Sequence, residues 1–143
     1  MGVDINRNLP SGREDADLRN SPSSQQYGGN KAFSSSEAAA LRGYTLKYPF
    51  DATISYHANG SIIYYEFGNN REVNDQSKSL AYSVKGCTGY PLYGSNGVEG
   101  AGYKDWTIDE LQIPSITIEI GCGSAPLDKQ EIYSIFFATL MFY

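Results

Sequence analysis

The amino-acid sequence predicts an α/β domain with a mixed sheet of about four strands flanked by helices. Two observations support this prediction. Segments rich in β-branched residues are interspersed along the chain with segments of helical periodicity. Two of the strands meet at Asn59-Gly60, a turn typical of an antiparallel hairpin, so the sheet is expected to be mixed. Such a sheet is thin for this many helices, which indicates part of a larger fold.

The first elements follow from local composition. The segment from Asn6 to Lys31 is rich in Asn, Pro, Ser and Gly and has no periodicity, so it predicts a long ordered loop. Ser34 and Glu37 match the Ser-x-x-Glu capping box, which predicts a helix from this point to about Lys47. The strands of the predicted hairpin come next, at Asp51 to His57 and Ser61 to Phe67.

The rest of the chain continues the alternation. A helix is predicted over Asn74 to Lys85, and Gly86 is expected to end it because glycine is the usual residue after a helix. The later elements are a loop over Gly89 to Gly102, a short helix over Asp105 to Leu111, a strand over Ile113 to Ile120, and an apolar helix over Asp128 to Tyr143.

Composition excludes several functions. The chain has 143 residues, 41% hydrophobic and 19% charged, which is the balance of a protein that folds. A net charge of -5 gives no long-range attraction for nucleic acid, so we expect no such partner. No apolar run approaches the roughly 20 residues of a membrane-spanning helix. Met1 to Asn8 also lack the pattern of a signal peptide.

The two cysteines, Cys87 and Cys122, are too few for a disulfide-rich scaffold or a structural zinc site. They could form one disulfide or remain as two buried free thiols. Sequence separation does not decide between these alternatives, because a bridge depends on the distance between the Cα atoms.

Three residues are candidates for chemistry. His57 is the only histidine and lies at a strand end, where it is either a hydrogen-bonded structural residue or a ligand. Glu119 interrupts an apolar strand, so it is either half of a salt bridge or a general base whose pKa is raised by burial. Arg7, between Asn6 and Asn8, could hold a carboxylate in a bidentate manner or lie in a solvated loop.

Together these residues belong to a set of motifs in a recognisable order. The set resembles the zinc carboxypeptidase (M14) family over nearly the whole chain. Its members are Gly2-Val-Asp-Ile-Asn-Arg-Asn8, Tyr27-Gly-Gly, Ala32-Phe-Ser with Glu37, Ser55-Tyr-His57, Asp105-Trp106 and Ile116-Thr-Ile-Glu119. The resemblance implies the C-terminal half of the zinc-carboxypeptidase fold, with residues 1–143 forming a partial peptidase domain.

The resemblance also implies roles at the reacting centre. His57 corresponds to the third Zn²⁺ ligand, and Glu119 to the general base that activates the zinc-bound water. The family uses a mobile tyrosine before the Asp-Trp pair, for which Tyr93 is the first choice. Tyr90 and Tyr103 are the alternatives.

Further roles concern the substrate. Asn6 and Arg7 correspond to the pair that grips its terminal carboxylate. Lys104 corresponds to the floor of the side-chain pocket, where it would favour an acidic group. Otherwise Lys104 extends to solvent, as most lysines do. Within the family the motifs are most similar to those of bacterial γ-D-glutamyl-diaminopimelate peptidases, so the expected substrate is a peptide of the cell wall and the expected location is secreted or cell-wall associated.

The sequence departs from the family in one respect. The His-x-x-Glu motif that supplies the first two zinc ligands is absent from the 143 residues. We therefore expect the chain alone to be inactive, and to need a missing upstream half of the domain or to self-associate. The alternative is a binding or structural remnant of such a peptidase that no longer catalyses hydrolysis.

Overall fold

The computed structural model of the chain describes residues 2–14, 16, 21–94, 100–123 and 126–140. In these residues the predicted alternation of helices and strands is confirmed, and the sheet has four strands. The elements after a short 3-10 turn at Ile5–Arg7 are α1 (Ser36–Lys47), β1 (Thr53–His57), β2 (Ile62–Tyr64), α2 (Arg71–Thr88), β3 (Leu92–Tyr93), α3 (Tyr103–Asp109), β4 (Ser115–Glu119) and α4 (Lys129–Leu140).

The sheet is mixed, as predicted, and its strand order is β1-β4-β2-β3. β1 and β4 run parallel, β4 and β2 run antiparallel, and β2 and β3 run parallel. β3 lies inside the segment for which the sequence predicted only a loop. β1 is an edge strand of this sheet, so one of its two backbone edges is unpaired within the described sheet.

The predicted hairpin of the first two strands is wrong, because β4 lies between them. The segment after His57 folds over the end of β4 instead of forming a tight turn. The Ile120 N–H donates to the His57 carbonyl at 2.8 Å, and the Gly60 N–H donates to the Gly121 carbonyl at 2.5 Å. Long-range pairing with an apolar strand thus overrides the local turn signal of Asn59-Gly60.

The core lies between the sheet and α2. Isoleucines from β2 and β4 and the residue after β4 are almost fully buried there against small side chains of α2. The set comprises Ile63, Ile116, Ile118, Ile120, Ala81 and Val84. Because side chains alternate along a strand, this packing leaves the odd-numbered residues of β1 and β4 on the opposite face.

The other face of the sheet is covered in part by α3. Trp106 is 1% exposed and contacts the Phe33 ring edge-on, with 5.2 Å between the ring centroids. The α3 helix starts two residues before its predicted start, since the Asp105 carboxylate accepts from the Gly102 N–H at 3.2 Å and caps the first turn.

Two helix ends differ from the sequence prediction. The N-cap of α1 is Ser35, whose hydroxyl accepts from the Ala38 N–H at 3.1 Å, while the Ser34 hydroxyl accepts from the Asn8 side chain. The α2 helix passes through Gly86 and ends at Gly89, whose left-handed φ of 72° allows its N–H to reach the Lys85 carbonyl. The prediction that Gly86 ends this helix is therefore wrong.

Cys87 is partly buried and Cys122 is exposed, and both are free thiols, so the structure has no disulfide between them. The last three residues of the predicted closing helix lie outside the described residues. Among the helices that the structure describes, none is long and apolar enough to cross a membrane.

Candidate active site

His57 and Glu119 end two neighbouring strands and are aligned with each other. They are register partners in the parallel pair of β1 and β4. Aligned residues on adjacent strands share a face, so both side chains lie on the face opposite the isoleucine core. Both are partly buried. The fold therefore brings together the predicted metal ligand and the predicted general base, which are 62 positions apart in the sequence.

Burial of the His57 ring lowers its pKa below the ordinary value of 6.5, and the charge of Arg7 lowers it further. The negative charge of Asp4 acts in the opposite direction. The net effect favours the neutral imidazole, which is the form that coordinates a metal ion. His57 thus fits the role of a ligand better than that of a charged group.

Asp4 is a site residue to which the sequence analysis assigned no role. Its charge acts on His57, and its Oδ1 accepts from the Asn6 N–H at 3.0 Å, which caps the 3-10 turn. The available signal was the position of this carboxylate, two residues before Asn6 in the first motif.

The 3-10 turn at Ile5–Arg7 positions the predicted carboxylate grip. Asn6 Oδ1 accepts from the Tyr103 N–H at 3.1 Å, which links the turn to the start of α3. Arg7 Nη1 donates to the Asn6 carbonyl at 2.9 Å. The Asn6 side chain is thus held by the start of α3, and the Arg7 side chain by the backbone of the turn itself.

A buried asparagine and an arginine attach this turn to the later part of the predicted loop. Asn8 is fully buried, and its Nδ2 contacts the carbonyls of Gly28 and Lys31 at 2.7 and 2.9 Å. Arg13 donates to the carbonyls of Arg7 and Gly29 at 2.7 and 2.6 Å. The predicted loop is therefore ordered in its described part by side-chain bonds to its own backbone.

A groove of 770 Å³ runs along the open edge of β1. It brings Asn6, His57 and Asp4 into one concave surface together with Tyr103. Its apolar part includes Leu9, Tyr44 and Phe50. Glu119 adjoins this surface through its alignment with His57.

The three candidate tyrosines have different environments. Tyr93 is 51% exposed on β3 and contacts the Tyr64 ring edge-on at 5.6 Å between centroids. The Tyr90 hydroxyl accepts from the Gly121 N–H at 3.2 Å. Tyr103 lines the groove, and its hydroxyl lies 3.0 Å from the Thr45 hydroxyl. Tyr93 is therefore the most exposed of the three, whereas Tyr103 is the one in the groove.

Lys104 is buried and does not extend to solvent. Its Nζ donates to Asp105 Oδ1 at 2.5 Å and to the Glu66 carbonyl at 2.9 Å, and it lies over the Phe67 ring. The side chains of this ion pair are 9% and 7% exposed. The charge of Lys104 is thus already matched by a neighbour within the fold.

A catalytic zinc site uses three protein ligands and a water molecule. His57 fits as one of them. In residues 2–14, 16, 21–94, 100–123 and 126–140, no group of three or more His, Cys, Asp or Glu side chains is placed to hold a metal ion. The described residues therefore fit part of a zinc site and do not complete one.

Comparison with known proteins identifies the relatives of this chain. The family model described as zinc carboxypeptidase matches residues 1–138. The chain is 32% identical over 138 residues to gamma-D-glutamyl-L-diamino acid endopeptidase 1 of Lysinibacillus sphaericus, and the match covers 94% of this chain and 34% of that protein. The chain spans about a third of the length of the curated relatives it matches.

Two solved structures share its fold. Carboxypeptidase A from Helicoverpa armigera matches with a TM-score of 0.71 and 19% identity, over 99% of this chain and 42% of that one. Murein-tripeptide amidase MpaA from Escherichia coli O157 matches with a TM-score of 0.63 and 22% identity, over 99% of this chain and 58% of that one.

Proposed function

Because the chain belongs to the zinc carboxypeptidase family, we propose that it carries the general base, one zinc ligand and the carboxylate grip of a peptidase that cleaves beside a free carboxylate. The alignment of His57 with Glu119 on adjacent parallel strands carries this proposal. A cell-wall peptide is the proposed substrate, since one relative is named for a γ-D-glutamyl-diamino acid bond and a structural neighbour for murein tripeptide. With such a substrate, the proposed location is secreted or cell-wall associated.

Each residue has a defined task in this mechanism. Zinc, when bound, would lower the pKa of a coordinated water and polarise the scissile carbonyl. The Glu119 carboxylate would take a proton from the attacking water and return it to the leaving amine. Asn6 and Arg7 would hold the terminal carboxylate of the substrate and fix the scissile bond beside Glu119.

Two further roles concern the tyrosine and the lysine. Tyr93 is the proposed mobile tyrosine because it is exposed and lies at the end of β3; Tyr103 in the groove is the alternative. Lys104 is the proposed pocket residue that favours an acidic side chain such as that of diaminopimelate. Its pairing with Asp105 means that a substrate carboxylate would compete with, or join, an existing ion pair.

The remaining zinc ligands are proposed to come from an upstream part of the domain that this chain lacks. The groove and the open edge of β1 support this arrangement, because His57 ends that strand and lines that groove. An added strand would pair with the open edge and bring new side chains beside His57. The chain alone is expected to bind zinc weakly, and calorimetric titration giving tight one-to-one binding by the monomer would contradict this arrangement.

The decisive experiment is to join the chain to an upstream segment that carries His-x-x-Glu, load it with zinc, and assay a γ-D-glutamyl-diaminopimelate peptide. Glu119→Gln is expected to lower kcat by about 10²–10⁴-fold because it removes the base. Glu72→Gln, on the exposed first turn of α2, is the matched control and is expected to leave activity unchanged. Binding of the peptide without turnover by the wild-type protein would instead support the non-catalytic remnant.

A further inference from the structure

Gly60 lies against the side chain of Glu119. A Cβ atom built at Gly60 would be 3.1 Å from Glu119 Cβ, 3.5 Å from Glu119 Cγ, and 3.2 Å from Ile62 Cγ2. Real Cβ atoms rarely approach other heavy atoms to 3.1 Å. The missing side chain of Gly60 therefore leaves space that Glu119 uses.

Two common reasons for a glycine do not apply at this position. Its φ is not among the positive values of the chain, so the backbone conformation is open to other residues. Gly60 is also exposed, so it does not serve close packing of the hydrophobic core. What remains are the contacts with the side chains of Glu119 and Ile62, of which only Glu119 belongs to the proposed site.

The segment that holds Gly60 is fixed, so it has little freedom to move away from a new side chain. The Gly60 N–H donates to the Gly121 carbonyl, two residues after Glu119, and the Asn59 side chain donates to the Gly123 carbonyl. The Ile120 N–H donates to the His57 carbonyl at 2.8 Å. These bonds attach the segment from His57 to Gly60 to the end of β4.

We infer that Gly60 is a positioning residue, whose lack of a side chain sets where the Glu119 carboxylate lies beside His57. A methyl group at this position would crowd Glu119 Cβ, which moves only with the backbone of β4, so the crowding would be relieved by a small shift of one segment against the other that carries the Glu119 carboxylate with it. This inference rests on the proposed function, in which the carboxylate of Glu119 is the general base.

The first test measures position and does not need activity. Gly60→Ala and the control Gly123→Ala are made in the 143-residue chain, and the Glu119 side chain is located by crystallography or by its assigned side-chain carbon shifts at one fixed pH. A Cβ at Gly123 would meet nothing within 4 Å. We expect Gly60→Ala to displace the Glu119 carboxylate and Gly123→Ala to leave it in place. An unmoved carboxylate in folded Gly60→Ala would overturn the inference.

The second test uses the zinc-loaded peptidase completed by its upstream part. A displacement of about 1 Å can lower a rate by roughly 10²-fold, so Gly60→Ala is expected to reduce kcat by about tenfold or more. KM should stay near the wild-type value, and Gly123→Ala should match wild type throughout. Unchanged kcat in Gly60→Ala would overturn the inference. An inactive wild-type enzyme would contradict the proposed function, and the first test alone would then decide whether Gly60 positions Glu119.

A double variant distinguishes crowding against Ile62 from crowding against Glu119. Ile62→Leu removes the branch methyl that a side chain at position 60 would meet, and leaves the contact with Glu119. If Gly60→Ala acts through Glu119, adding Ile62→Leu does not restore kcat. Restoration of kcat would show that the effect passes through Ile62 and would contradict the inference.

Discussion

The buried ion pair of Lys104 and Asp105 makes the stability of the fold sensitive to a single substitution. Removing one partner of a buried ion pair leaves an uncompensated charge, which typically costs about 3–5 kcal/mol. Lys104→Met is therefore expected to lower the free energy of unfolding by about that amount, measured by denaturant titration of the 143-residue chain.

The double variant Lys104→Met with Asp105→Asn supplies the control. It removes both charges, so its loss of unfolding free energy should be clearly smaller than the summed losses of Lys104→Met and Asp105→Asn made singly. A Lys104→Met chain as stable as wild type would mean that Asp105 is not desolvated as its contacts imply. Only a variant that remains folded can then be used to compare substrates ending in diaminopimelate with those ending in leucine.

The partial burial of His57 predicts a pH dependence of stability. Burial lowers its pKa in the folded state, so the unfolded chain binds the proton more tightly. Stability of the metal-free chain should therefore fall as the pH is lowered through about 6.5, the unfolded value, and show no contribution from this group above it. Thermal melts of wild type and His57→Gln at matched pH values test this. Parallel pH profiles for the two chains would exclude the effect.

The site was predictable from the sequence where its residues lie in short motifs. His57, Glu119, Asn6 and Arg7 were identified in this way, and the family they resembled is the family to which the chain belongs. The role of Asp4 was not predicted, because its effect on His57 depends on which segments meet in space. The pair of Lys104 and Asp105 joins sequence neighbours, but its burial depends on how α3 packs. The catalytic roles themselves stay predictions.

At the scale of one element, the C-terminal end of α2 allows two glycines to be compared directly. Gly89 has a left-handed φ of 72°, whereas Gly86 lies inside the helix, and a Cβ would meet nothing within 4 Å at either position. Gly89→Ala is expected to destabilise the chain by about 1 kcal/mol because alanine is strained in this conformation. Gly86→Ala is expected to stabilise it by about 0.5–1 kcal/mol because alanine favours the helix.

Chemical denaturation of both variants beside wild type measures these changes. Each variant is the control for the other, since the substitution is the same and the positions are three residues apart. Destabilisation by Gly86→Ala would mean that the helix ends at Gly86, as the sequence pattern first indicated.

The existence of most elements could be predicted because helical and strand periodicity are local properties. The described part of α4 and the strand at Ser115–Glu119 fall within their predicted segments. The errors were in the neighbours of strands and in the ends of helices. The Asn59-Gly60 signal was outweighed by the bonds of Gly60 and His57 to the end of β4, which join residues that are distant in sequence.

Over the whole molecule, the exposed apolar surface predicts self-association. α4 exposes Tyr133, Phe137 and Leu140, and the open edge of β1 adds unpaired backbone groups. Such surfaces recruit partners. In sedimentation velocity, the weight-average sedimentation coefficient of the chain is expected to rise with protein concentration.

Substitutions at two aromatic residues of nearly equal exposure test whether the association depends on the α4 surface. Phe137 is 58% exposed on α4 and Tyr82 is 57% exposed on α2. Phe137→Glu should weaken the association, whereas Tyr82→Glu should leave it unchanged. A wild-type chain that stays monomeric at all concentrations and melts cooperatively would show that the fold is self-sufficient and that the domain is not partial.

The position of β4 between β1 and β2 also sets the order of events on the ribosome. The roughly 50 residues between Tyr64 and Ser115 take several seconds to synthesise at about 5–20 residues per second. During that interval the strand that ends at His57 has emerged without its central partner, and the two early strands cannot adopt their native spacing. His57 therefore acquires its neighbour Glu119 only after these intervening residues and β4 have been synthesised, so the nascent protein cannot assemble this pair early.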